Sequence, residues 1–174
     1  MERFGLGYAT RGYLKSWIAV PTHDAEGRLI AYIGRSVDEP PRLRFPKPRE
    51  RNGVGHVFDP SRVLYNAHRL AGPVDTLTVV EGPLDVAWLW QNGHEHVVTP
   101  LGCDLSEAQA TQIVNVTKEA GHIRILAPNA DPGAQLAAQA LTRLARARAV
   151  RWIELPAGRR PTDTSAEALH EIMG

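Results

Sequence analysis

An α/β fold is predicted for this 174-residue chain, with a mostly parallel four-stranded sheet flanked by helices and a small α+β lobe ahead of it. Three observations predict it. From Thr76 onward, short β-branched and apolar runs alternate with segments of helical character. The helical segments, at 83–92, 105–120 and 133–147, are long enough to serve as right-handed crossovers between parallel strands. The first 72 residues lack long helical periodicity and instead offer short strands around a hairpin turn.

The first strand of the alternating half, at 76–80, is Thr76-Leu77-Thr78-Val79-Val80 and stops on Glu81. Gly82 permits a tight turn there, and Pro83 suits the first position of the following helix. Glu81 therefore sits at the carboxyl end of a central strand, where open α/β sheets place their chemistry. Asp85 follows one helical turn later and can face the same crevice or simply favour the helix dipole. Further strands are expected at 96–99, 123–127 and 150–155. The run Ile123-Arg124-Ile125-Leu126-Ala127 leads into Asn129-Ala130-Asp131-Pro132-Gly133, a second polar strand end. Ser106, with Gln109 three residues on, forms a capping box for the second helix. Ahead of these, strands at 17–20 and 29–33 flank the turn His23-Asp24-Ala25-Glu26-Gly27, and 61–70 reads as a short helix with Val63, Leu64 and Ala67 on one side. Gly72-Pro73 punctuates the boundary between an N-terminal lobe, 1–72, and the alternating domain, 73–174.

Glu-Gly at one strand end and an acidic turn followed by glycine at another resemble the Toprim domain, which DnaG-type primases share with topoisomerases and some nucleases. The segment Phe4-Gly5-Leu6-Gly7-Tyr8-Ala9 resembles the opening of the primase catalytic core. Ile18-Ala19-Val20-Pro21 through Gly34-Arg35 is similar to its hairpin, and Pro46-Lys47, Leu64-Tyr65-Asn66 and Leu101-Gly102 fall in matching order. The resemblance spans nearly the whole chain. It implies a Toprim-type sheet and metal-dependent primer synthesis in DNA replication or mobile-element maintenance.

In such a site carboxylates hold Mg²⁺ or Mn²⁺, hard cations that keep several waters and bridge to substrate phosphates. The resemblance assigns catalytic roles to Glu81, Asp85 and Asp131, and metal binding to Glu81, Asp131, Asn129 and Asp163. It also exposes departures. Asn129 stands where the first acid of Asp-x-Asp is expected, so it is either a weaker ligand or a turn former. Leu155-Pro156-Ala157-Gly158-Arg159-Arg160-Pro161-Thr162-Asp163 resembles Leu-Pro-x-Gly-Lys-Asp-Pro-Asp-Asp, with Arg160 and Thr162 in place of two acids. Phe58-Asp59 lacks the lysine that often follows this Phe. Weak metal binding is the expectation, and restoring the acid by Asn129→Asp is expected to tighten it.

Net charge is only +1, but Arg42, Arg44, Lys47, Arg49 and Arg51 crowd together among Pro40, Pro41, Pro46 and Pro48. Prolines keep this stretch extended, and an extended basic loop can track a phosphate backbone or be a solvated connector. With Arg35 it is the expected single-stranded nucleic-acid surface. A hydrophobic content of 43% supports a sizeable core, and charge at 22% does not suggest disorder. The single cysteine, Cys103, excludes a disulfide framework or a Cys-rich zinc ribbon within these residues and reads as a buried small side chain. A primase-type zinc module would have to come from elsewhere, and a helicase is a second conceivable partner. His94-x-His96 lacks further ligands at zinc spacing and reads as a turn. No signal peptide and no run of about 18 apolar residues is visible, so a cytoplasmic, membrane-free protein is expected. Two other functions compete with primer synthesis: a degenerate Toprim module that binds nucleic acid or a partner without catalysis, and a Toprim nuclease, which the primase-like first 70 residues disfavour.

Overall fold

The computed structural model describes residues 2–38, 40–51 and 53–173. An antiparallel sheet takes its strands in chain order: β1 (Gly7–Tyr8), β2 (Trp17–His23), β3 (Leu29–Ser36) and β4 (Leu43–Arg44). The predicted hairpin joins β2 to β3. Asp24 accepts from the backbone N–H of Glu26 and Arg28, and Gly27 takes the left-handed φ of 81° that the turn requires. Two short strands, β5 (Arg49–Arg51) and β6 (Val54–His56), pair with each other.

The second sheet consists of β7 (Val74–Val79), β8 (Val97–Val98), β9 (Thr117–Pro128) and β10 (Ala149–Leu155), all parallel, in the order β10-β9-β7-β8. Between them run α1 (Pro83–Gln91), α2 (Glu107–Asn115) and α3 (Gly133–Leu144), and α4 (Ala166–Met173) follows β10. Strand alternation divides the core into two layers. Leu77, Val79, Ile123, Ile125 and Ala127 pack with Ile113 of α2 and Leu136, Ala140 and Leu144 of α3. On the other face Val80, Leu126, Ile153 and Leu155 meet Val86 and Leu89 of α1, Leu169 and Met173 of α4, and Val20 and Ile33 of the first sheet. That last contact seats the antiparallel sheet on the parallel one.

Several boundaries differ from expectation. Residues 61–70 are not one helix. Two single 3-10 turns, Pro60–Arg62 and Ala67–Arg69, flank a buried Val63–Asn66 that is extended at Val63 and left-handed at Asn66, with φ 73°. Tertiary hydrogen bonds override the local helical pattern there. Tyr65 and Thr99 exchange both backbone bonds, and the Asn66 amide donates to Val97 O at 2.7 Å. Gln109, only 1% exposed, reaches the carbonyls of Pro60, Val63 and Pro100 with its amide nitrogen. The same glutamine completes the capping box with Ser106, as expected. Its helix ends at Asn115 rather than 120, because the β-branched Val116 and Thr117 turn into β9 and the Thr117 hydroxyl donates back to Ile113 O. The third helix stops at Leu144, and the strand expected at 96–99 shrinks to Val97–Val98. No helix among the described residues is long and apolar enough to cross a membrane.

His23 and His68 stack at 4.5 Å where the β2–β3 hairpin meets the Ala67–Arg69 turn. Burial, then His23 and Arg69, push His68 down to about 4, while Asp24 opposes weakly. Its folded pKa thus lies below the unfolded value, so the unfolded chain binds the proton first. Stability is fully present above about pH 6.5 and is lost as pH falls toward 4, by about 2 kcal/mol after discounting for partial exposure. His68→Phe keeps the ring packing and should flatten this part of the acid limb in urea unfolding. An unchanged slope between pH 6.5 and 4 would assign the loss to other groups.

Candidate functional site

The chain runs from β7 to β8 on one side and then crosses to place β9 on the other side of β7. That reversal opens a crevice beyond the carboxyl ends of β7 and β9, where ligands of open α/β sheets bind. Glu81 lies just past β7, and Asp131 lies in the turn after β9. Both line one cavity of about 350 Å³, together with Asp85, Cys103, Arg35 and Arg160. The strand-end reading of Glu81 and Asp131 thus places them on one crevice.

Glu81 is held by its backbone: Thr99 Oγ1 and Gly102 N–H both donate to its carbonyl, at 2.8 and 3.0 Å. Its side chain is half-buried, and Oε1 is buried without a hydrogen-bond partner. Burial raises its pKa, while the Cys103 thiol and the Arg160 charge pull it back. Gly133, at the start of α3, leaves no room for a side chain beside it. A Cβ there would stand 2.6 Å from Glu81 Oε1 and 2.5 Å from Pro128 Cδ. Asp85, in the first turn of α1, is 5% exposed, and burial followed by Glu81 pushes it up to about 6. The Thr162 hydroxyl donates to Asp85 Oδ1 at 3.3 Å.

Arg35 reaches the crevice from the first sheet. It stands beside Ile18 and Leu43 across the ladder and on the same face as the buried Ile33. Arg160 enters from the loop after β10 and is positioned by Asp163, whose carboxylate accepts from the Arg160 N–H at 2.9 Å and lies 3.6 Å from Nε. Asp163 itself is exposed and engaged with Arg160. Asn129 is not brought into the crevice lining: its amide donates to Glu154 Oε2 at 2.6 Å. Cys103 is half-buried beside Glu81, and burial with the Glu81 charge pushes its thiol up to about 12. Sequence reasoning treated it as a packing residue. Nothing in the sequence marked its place beside Glu81, which depends on the left-handed Leu101, with φ 64°, and on the path of the loop after it.

The resemblance implies a divalent cation, and the donor set accommodates one. Glu81 Oε1 is an unpartnered buried acceptor, and Asp131 is exposed on the same crevice. Among the described residues no group of three or more His, Cys, Asp or Glu could hold a metal ion. An ion here would rest on Glu81 and Asp131 and keep much of its water.

The basic stretch is extended, as expected, but its members differ. Arg44 lies over Trp17 at 4.0 Å and over Tyr13 at 5.4 Å, and donates to Tyr13 O, which ties it to the outer face of the first sheet. Arg42 is exposed and pairs loosely with Asp38 at 3.5 Å. Lys47 and Arg49 are exposed. The Arg51 side chain lies outside the described residues. His94, expected in a solvated turn, instead packs its ring at 5.0 Å from His170 of α4.

These features define an α/β domain of Toprim type: a parallel four-stranded sheet with an acidic, switch-point crevice, carrying a small antiparallel lobe that supplies an arginine to it. The chain resembles DnaG-type primases, and its fold is that of their catalytic cores. It is 33% identical over 102 residues to a DNA primase of Mycoplasma pneumoniae, covering 58% of this chain and 15% of that protein. A DNA primase of Legionella pneumophila is 35% identical over 105 residues, covering 58% and 17%. The zinc-binding and RNA polymerase domains of the Aquifex aeolicus primase superpose with a TM-score of 0.72 at 24% identity, covering 97% of this chain and 43% of that one. The structure of a DnaG primase catalytic domain bound to ssDNA also gives 0.72, at 23% identity, covering 99% and 60%. No family model matches the chain. The matched stretches thus make up about a sixth of those two curated relatives.

Proposed function

We propose that this chain binds single-stranded DNA along its basic N-terminal lobe and holds nucleotide phosphates in the crevice for metal-dependent primer synthesis. The observation that carries this reading is the convergence of Glu81 and Asp131, at adjacent parallel strand ends, with Arg35 from the other sheet. Phosphoryl transfer needs that combination, because charge develops on several phosphate oxygens at once. A bound Mg²⁺ or Mn²⁺ would supply Lewis-acid stabilisation of that charge. Glu81, held through its carbonyl, presents a buried Oε1 without a hydrogen-bond partner as an acceptor for the ion. Asp131 adds a second, solvated carboxylate. Arg35 brings a fixed cation to the opposite wall. A primase-like relative was solved with ssDNA bound, which supports the assignment of template binding to this fold. DNA replication is the process this activity would serve.

A second reading, a module that binds without catalysis, is favoured by one specific contact. Asp85 is satisfied by Thr162 and nearly sealed from solvent, which withdraws one carboxylate from any metal.

Metal titration joined to template-directed nucleotide incorporation tests both readings. Glu81→Gln should weaken Mn²⁺ binding by at least about tenfold and abolish incorporation. Asn129→Asp alone should gain little, since the new carboxylate would face Glu154. Asn129→Asp with Glu154→Ala removes both that repulsion and the partner that holds residue 129 away from the crevice, and should tighten Mg²⁺ binding about tenfold. Metal binding without incorporation in any variant would leave the noncatalytic module standing. Incorporation unaffected by Glu81→Gln would overturn the crevice as the site of synthesis.

A further inference from the structure

Two positions of the loop after β10 that resemble acidic positions of primases carry Arg160 and Thr162, and both turn toward the acids of the crevice. Thr162 donates its hydroxyl to Asp85. Arg160 lines the same cavity as Glu81, Asp85 and Asp131, and Asp163 fixes its backbone and its Nε. Where an acidic loop would have added negative charge and called for another cation, this loop brings its own cation and a hydroxyl donor. Arg35 stands on the wall contributed by the other sheet. Arg35 and Arg160 thus line a cavity of about 350 Å³ from two sides, Arg35 with Nη1 donating to Ser36 O at 2.6 Å, and planar guanidinium forks match phosphate oxygens in geometry and charge.

We infer that Arg160, with Arg35, binds a polyphosphate chain directly, so that Arg160 takes the place of a second divalent ion and the crevice recognises nucleotide polyphosphates even without metal. This rests on the reading of the crevice as a phosphate site, and it deepens that reading by naming the cation that is built in. Several features agree with it. Asp85 is 5% exposed and bonded by the Thr162 hydroxyl, so it offers little to a metal. Asp163 is engaged with Arg160 and is exposed, and Asn129 is turned to Glu154. What remains for a metal is Glu81 with Asp131, enough for one hydrated ion. The hydrogen bond from the Arg160 N–H to Asp163 sets the loop's conformation, so the guanidinium is placed before any ligand arrives.

Calorimetric titration of the whole chain with inorganic tripolyphosphate, in chelator and in Mg²⁺, tests this directly. The parent protein should bind in chelator with an affinity within about tenfold of that in Mg²⁺. Arg160→Ala should weaken the chelator-phase affinity by at least about tenfold, and Arg160→Lys should recover part of it, which separates a lost charge from a misfolded loop. Arg160→Asp with Thr162→Asp should reverse the dependence: little binding in chelator, restored by Mn²⁺. Binding of single-stranded DNA, measured in parallel, should be unchanged by Arg160→Ala, so a failure of template binding is read separately. Tripolyphosphate binding by the parent only in the presence of metal, or unchanged by Arg160→Ala, would overturn the inference.

Discussion

Gly133→Val should destabilise the protein by about 3 kcal/mol and, in the fraction that folds, weaken Mn²⁺ binding about tenfold. Gly133 opens α3 directly behind the crevice. An added Cβ would approach Pro128 Cδ at 2.5 Å, Glu81 Oε1 at 2.6 Å and Pro128 N at 2.9 Å. Pro128 ends β9 and pairs in register with Leu155 of β10, so its ring and backbone cannot retreat without moving two strands. Of these three contacts, the Glu81 carboxylate alone belongs to a side chain that can rotate away, and displacing it removes the crevice's unpartnered acceptor. Gly133→Ala provides the graded control. Alanine favours a helix over glycine by about 1 kcal/mol, so any loss of stability in that variant must come from the clash. Urea unfolding and a metal titration at a temperature where both variants are folded check the two effects separately. Parent-like stability with parent-like Mn²⁺ affinity in Gly133→Val would show that α3 and Glu81 are not packed against each other.

The strand ends were legible because they combine a periodic apolar run with a glycine or proline punctuation. Leu77 and Val79 alternate with Thr78, and the run stops at Glu81-Gly82-Pro83, where α1 begins. Capping chemistry was equally readable, since Ser106 and Gln109 act within four residues. Residues 61–70 misled because the decisive partners are remote. Asn66 answers to Val97, Tyr65 to Thr99, and three carbonyls of the Pro60–Val63 and Pro100 segments answer to Gln109. Helix α4 escaped notice although Ser165 accepts from Ala168 N–H. It is short, and Leu169 and Met173 are its only buried residues. Within the crevice, acids were legible as motif members, whereas Asn129's turn toward Glu154 and the tie of Arg160 to Asp163 depend on side-chain direction, which a motif does not encode.

Side-chain direction also decides which basic residues are free to meet nucleic acid. The combined replacement of Arg42, Lys47 and Arg49 by alanine should weaken single-stranded DNA binding on the order of 100-fold near 0.1 M salt, equally for unrelated sequences. Each phosphate neutralised on a single strand contributes about 0.7 to the slope of log affinity against log salt, so losing three should flatten that slope by about 2. Arg44 is left out deliberately. Its guanidinium lies 4.0 Å over Trp17 and donates to Tyr13 O, so Arg44→Ala would loosen the outer face of the first sheet and confuse binding with folding. Arg42 makes an exposed pair with Asp38, 3.5 Å long, and lies 5.9 Å from the Trp17 ring, two loose contacts of a kind that offer little resistance to a phosphate. Binding by fluorescence anisotropy across a salt series reads both affinity and slope. A triple variant that keeps the parental affinity and slope would reduce the stretch to a connector between the two sheets. Loss of affinity with an unchanged slope would point to altered folding of the lobe rather than lost phosphate contacts, and thermal unfolding of the same variant would settle that case.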